Sequence, residues 1–243
     1  MAMTQYNKAR QLAAATPETR NRFADFLRAL AILAVVVGHW LMAAVWVDDG
    51  GVHTANALGI VEVTQWLTWA LQVMPLFFLV GGFSNAIGWR NSEGTYTNWL
   101  SQRLQRLVVP TLPLIALWAG IGLAGPAFGL DASLLRSGSQ VALVPLWILA
   151  VYVLMVAATP LTMRLWSRFG IAGIAALTAG AFAVDALRRA TSVHIGFANY
   201  LFVWTAIYLL GHAWHDGFFA DRRRSWLLAA GGGAMLVGLT LAG

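Results

Sequence analysis

The stretch Arg28-Ala-Leu-Ala-Ile-Leu-Ala-Val-Val-Val-Gly-His39 decides the fold class. Everything between its two ends is apolar or glycine and suits hydrocarbon. An ionisable residue in such a run is costly and marks function by default. Eleven residues at about 100° each come to about 20° past three turns, so Arg28 and His39 share one helix face, about 16 Å apart along the axis. One lies near a membrane surface and the other near mid-bilayer.

Working outward, seven apolar segments are read at 26–47, 65–89, 107–127, 141–162, 170–187, 197–214 and 225–243. Each is long enough, or nearly so, to cross about 30 Å as a helix. None alternates as a barrel strand would. The fold class expected is therefore all-α, a polytopic transmembrane helical bundle of about seven membrane helices. Composition agrees: 59% of residues are hydrophobic and 11% charged, against about 25% charged in a soluble domain. Twelve Trp suit interfacial belts and helix packing. The absence of cysteine excludes disulfides and thiol catalysis.

The net charge of +6 would suggest nucleic acid on a soluble protein. Its distribution points instead to the bilayer as partner, with no nucleic acid. With the N-terminus cytoplasmic, 13 of the 16 Lys and Arg fall on the cytoplasmic side. Only Arg136, Arg188 and Arg189 fall outside, which is the positive-inside pattern. The segment holding Asp48, Asp49, His53 and Glu62 has neither Lys nor Arg and is placed outside. Residues 1–22 are polar, lack the apolar core of a signal peptide, and read as a mobile cytoplasmic arm. Residues 23–243 form the membrane domain.

Four groups carry chemistry. Asp25 and Arg28, three apart, are neighbours on a helix, either as an interfacial ion pair or with Arg28 as an anion site. His39 is either hydrogen-bonded to a neighbouring helix or a general base. In Pro75-Leu-Phe77-Phe78-Leu-Val-Gly81-Gly82-Phe83-Ser84, proline opens a helical turn and the glycines permit close backbone approach. Arg103 and Arg106 share a face before Pro110 and Pro113; they are a positive-inside anchor and, with Arg28, a candidate clamp for a phosphate-rich donor. Trp147, in Pro145-Leu-Trp147-Ile-Leu-Ala-Val-Tyr152, is an interface anchor or lines a cleft.

In this order the four stretches resemble the membrane acyltransferase 3 family, which includes glycan O-acetyltransferases. Asp25, Arg28 and His39 match its opening element; Phe77, Phe78, Gly82 and Phe83 its Phe-Phe element. Arg103, Arg106 and Pro110 match its paired-arginine element, and Trp147 and Leu149 its Trp-x-Leu element. Gly81 stands where many members have Ser, and Tyr152 where many have an acidic residue. Members commonly have more membrane helices, so the chain reads as C-terminally truncated.

The resemblance implies transfer of an acyl group, with acetyl expected, from cytosolic acyl-CoA to a hydroxyl of a glycan or lipid-linked acceptor in the cell envelope. Asp25, Arg28 and His39 would be catalytic. Arg28, Arg103 and Arg106 would hold acyl-CoA as donor substrate, with no permanently bound cofactor and no metal. Phe77, Phe78, Gly82, Phe83, Trp147 and Tyr152 would line the substrate path. The competing readings are a transporter in which His39 relays protons and a non-catalytic membrane subunit. The remaining polar residues are read as structural. His212, His215 and Asp216 form a polar cap rather than a metal site, Asp185 pairs with Arg188, and His53 and His194 are solvated in outer loops.

Overall fold

The computed structural model describes residues 2–17, 20–48, 51–143, 146–191 and 195–242; Asp49, Pro145 and His194 lie outside them. The chain is 86% helical and divides into two compact units, Met1–Val80 and Gly81–Gly243.

In the first unit, α1 (Ala2–Ala14) precedes α2 (Arg22–Met42), so the arm carries a helix of its own. Asn21 Oδ1 accepts from the backbone N–H of Ala24 at 3.0 Å and caps α2. α2 keeps Asp25, Arg28 and His39 on one unbroken helix. It ends at Met42, short of the expected position 47. There β1 (Ala43–Asp48) pairs antiparallel with β2 (Gly51–Asn56), in register Val45 to Thr54 and Trp46 to His53. The β-branched and aromatic content of both strands favours a pleated pair over a helical turn. The hairpin is the one departure from all-α among the described residues. It also corrects His53, which is half-buried and stacks on Trp46 at 5.5 Å.

Next come α3 (Ala57–Ile60), a 3₁₀ turn (Glu62–Trp66), α4 (Leu67–Leu71) and α5 (Met74–Arg90). The expected single helix over 65–89 is thus broken at Gln72 and Val73. Pro75 falls in the first turn of α5, where its missing N–H costs no hydrogen bond. The unit's buried centre is Ala31, Ala34 and Val73, flanked by Val35, Leu71 and Leu76.

In the second unit, α6 (Tyr96–Val108) runs through a 3₁₀ turn at Val109–Thr111 into α7 (Leu112–Ala124), with Pro110 in that turn. α8 (Ala132–Leu143), α9 (Leu146–Ala157), α10 (Thr159–Ala190), α11 (Ala198–His215) and α12 (Arg222–Ala242) follow. α10 is two helices, joined at Gly170 with φ 52° and ψ −132°. That break falls where the sequence separates its fourth and fifth apolar segments.

Among the described residues, three stretches are long and apolar enough to cross a membrane, against the seven expected: Arg22–Leu41, Tyr96–Phe128 and Thr159–Ala190. The second has 33 residues, about 50 Å as a helix, longer than the roughly 30 Å hydrocarbon core. Its polar start, with Arg103 and Arg106, therefore extends past the apolar layer. Large apolar side chains such as Trp40, Leu117 and Leu123 are exposed along these helices. Lipid solvates such a surface, and the protein is a membrane protein.

The Gly170 backbone lies where L side chains are strained. Gly170→Ala should lower unfolding stability in detergent by about 1–3 kcal/mol. Gly231→Ala in α12, where a Cβ meets nothing within 4 Å, should not lower it. An unchanged unfolding midpoint for Gly170→Ala would refute the strained joint.

Candidate functional site

On α2, Asp25 joins two arginines. Its Oδ1 accepts from Arg28 Nη1 at 2.9 Å and its Oδ2 from Arg20 Nε. The ion-pair reading of Asp25 and Arg28 is therefore realised. His39 is half-buried on the same helix. The adjacent Gly38 lines a recess of about 140 Å³ with Leu41, Leu58, Thr64, Leu67, Thr68, Leu71 and Gln72. At the start of α5, Phe78 is fully buried and meets Phe77 edge-on at 6.3 Å.

In the second unit, the remaining candidates on α5 are packing residues. A Cβ on Gly82 would overlap the backbone carbonyl oxygen of Tyr208 and lie 3.3 Å from Gly211 Cα. α5 and α11 thus touch backbone to backbone. Phe83 is buried and stacks on Trp214 at 4.2 Å. Trp147 is 39% exposed, as an interface anchor would be, with its ring 5.5 Å from Tyr200.

Gly81 and Tyr152, the two departures from the family pattern, meet each other. A Cβ on Gly81 would sit 2.5 Å from Tyr152 Cε2 and 2.8 Å from its hydroxyl oxygen. The aromatic ring occupies the space a Ser side chain would need. The Tyr152 hydroxyl accepts from Asn85 Nδ2 at 3.3 Å. A phenol thus stands where an acidic residue was the family expectation.

A buried polar ladder was missed in the sequence. The Tyr208 hydroxyl bonds to Thr159 Oγ1 at 2.8 Å, and His212 Nε2 to Thr162 Oγ1 at 3.0 Å. All four residues are almost fully buried. Thr162 Oγ1 also lies 3.0 Å from the Thr159 carbonyl, to which it donates. The four-residue spacing of Tyr208 and His212 on an apolar helix was the available signal.

The expected His212, His215, Asp216 cap is therefore split. His212 belongs to the interior, while Asp216 gathers Arg90 Nη1 at 2.8 Å, His215 Nδ1 at 2.9 Å and Trp166 Nε1 at 2.8 Å. No three His, Asp or Glu side chains converge as metal ligands among the described residues. Asp185 accepts from Asn199 Nδ2 at 2.9 Å rather than from Arg188. Arg103 and Arg106 differ although they share a face: Arg103 is half-buried over the Trp99 ring at 5.7 Å, and Arg106 is exposed.

Two outcomes follow from these contacts. Gly81→Ala should destabilise the chain by about 1–3 kcal/mol, as overpacking does. Adding Tyr152→Ala should recover much of that loss, because the new methyl then has room. Additive losses in a double-mutant cycle would show that the two sites do not touch. For Asp216, burial raises the carboxyl, but the hydrogen bonds from His215, Arg90 and Trp166 outweigh it and hold the group down at about 2. A lowered folded-state value means stability that is complete above the unfolded value of about 3.9 and is lost as pH falls toward 2. The gap in unfolding midpoint between wild type and Asp216→Asn should be constant near neutrality and close between about pH 4 and pH 2. A gap independent of pH would refute the ionised cluster.

No curated protein and no solved structure matches the chain. A family model does. Residues 21–243 match the model described as acyltransferase domain, of the acyltransferase 3 type, and so span α2 through α12. The chain belongs to that acyltransferase family.

Proposed function

We propose that the protein is an integral membrane O-acyltransferase of the cell membrane, with its N-terminus cytoplasmic. It moves an acyl group, acetyl in the first instance, from cytosolic acyl-CoA to a hydroxyl of a glycan or lipid-linked acceptor. The observation that carries the reading is the family match over 21–243, on a chain whose Asp25, Arg28 and His39 lie on one apolar helix. The charge asymmetry of the sequence supports the orientation.

In this reading His39 is the general base. It takes the proton of the acceptor hydroxyl as that oxygen attacks the thioester carbon, and the CoA thiolate leaves. Asp25 orients Arg28 through their 2.9 Å contact. The guanidinium groups of Arg28, Arg103 and Arg106 supply planar, permanently charged donors suited to the phosphates of the donor. Phe77, Trp147 and Tyr152 are the less buried members of the aromatic set and are assigned to the substrate path. Phe78, Gly82 and Phe83 are assigned to the same path by the family pattern.

His39→Ala should abolish acylation of the cell-surface acceptor while leaving membrane abundance normal. Loss of a general base costs about 10²–10⁴-fold in rate. Mass spectrometry of surface glycans and lipids from cells carrying either form reads the result directly. Unchanged acylation at equal abundance would overturn the assignment.

A further inference from the structure

The acyl-CoA reading leaves the buried indole of Trp99 unexplained. Trp99 on α6 is only 6% exposed, and its Nε1–H has no hydrogen-bond partner among the described residues. An indole N–H is a donor only, and burying it unpaired is costly. The ring is held from several sides. It meets Trp89 edge-on at 5.4 Å and Tyr96 at 6.4 Å, and the Tyr96 hydroxyl is tied to the Ala157 carbonyl at 2.7 Å. The indole is therefore held in place.

Gly88 of α5 lies beside it. A Cβ built on Gly88 would lie 3.6 Å from Trp99 Nε1 and would overlap Arg103 Nη2. Two donors, one neutral and one cationic, thus converge on a stretch of bare backbone. The four-residue spacing of Trp99 and Arg103 puts both on one face of α6. Stacking of the guanidinium on the indole face leaves the N–H at the ring edge unsatisfied. Arg106, one turn on and exposed, is outside this pair.

We propose that the Trp99 indole N–H and the Arg103 guanidinium, brought together on the bare face of Gly88, seat one phosphate oxyanion. The ligand must offer acceptors only and carry negative charge, because both protein groups donate. A guanidinium fork fixes a phosphate from one side, and the indole N–H takes an oxygen that the fork leaves. Gly88 is required because a side chain there would push the guanidinium away. The phosphate comes from the donor nucleotide, which rests on the acyl-CoA reading, or from a phospholipid headgroup at the surface end of α6.

The test uses the full chain in maltoside detergent micelles, which carry no phosphate, titrated calorimetrically with CoA and separately with inorganic pyrophosphate. Trp99→Phe keeps the ring and removes only the N–H. Gly88→Ala fills the cradle and displaces only the far end of a flexible side chain. Each should weaken binding about tenfold, with thermal unfolding close to wild type. Ser101→Ala, on an exposed position of α6, should leave binding unchanged. If wild-type CoA affinity falls when phosphatidylglycerol is added to the micelles and the fall is absent in Trp99→Phe, the headgroup competes for the same seat, and the seat stands. If pyrophosphate binds in a Trp99-dependent way and CoA does not, the seat stands and the acyl-CoA reading falls. If wild type binds CoA and both variants bind it equally well, the seat is overturned and the acyl-CoA reading survives. If wild type binds neither probe and phosphatidylglycerol changes nothing, both are overturned.

Discussion

The bare Cα of Gly82 beneath the carbonyl of Tyr208 is the contact on which the second unit depends. Lipid tails are as apolar as leucine, so helices in a bilayer gain little from hiding apolar surface from each other. Close packing and hydrogen bonds must hold them. At Gly82 the two backbones touch, and that fixes the spacing of α5 and α11. The consequences run along α5 at helical intervals. Gly81 accepts the Tyr152 ring, Asn85 reaches the Tyr152 hydroxyl, Gly88 meets Arg103, and Arg90 closes on Asp216. Any side chain larger than hydrogen at Gly82 would force α11 away and take these contacts with it.

The same geometry explains why polar residues survive in an apolar helix. Tyr208 and His212 are buried against Thr159 and Thr162, each with a hydrogen-bonding hydroxyl opposite. Buried polar groups are tolerated when paired, and a paired set specifies register more sharply than leucine against leucine. The two threonines lie in the first turn of α10. This ladder therefore fixes how α10 begins, while Gly170 fixes where it turns.

Much of the fold was legible in the sequence, for a physical reason. A bilayer forces the backbone to satisfy itself within each segment, so apolar runs translate into helices. The helical placement of Asp25, Arg28 and His39 followed from spacing alone, while the ion pair was one of two readings that spacing left open. The hairpin at Ala43–Asp48 and Gly51–Asn56 was hidden because its apolar residues continue the composition of α2. The break at Gln72 and Val73 was hidden likewise, inside a continuous apolar run. Of the site, the residue types were legible and the groupings were not. His212, His215 and Asp216 look like one cluster in a line of text. A turn of helix sends the first to the interior and the others to the surface.

By itself the sequence determined the class of molecule, the apolar segments and the identity of the charged residues set among them. These depend on composition and on period, which are local properties of a chain in hydrocarbon. Only the tertiary structure decided that Gly81 and Tyr152 compensate each other, that Arg103 and Arg106 differ, and that the Trp99 indole nitrogen lies beside Gly88. Each of these turns on the distance between side chains far apart in sequence. That distance is set by how closely two helices approach, and the glycines that permit the approach show their partners only once the helices are packed.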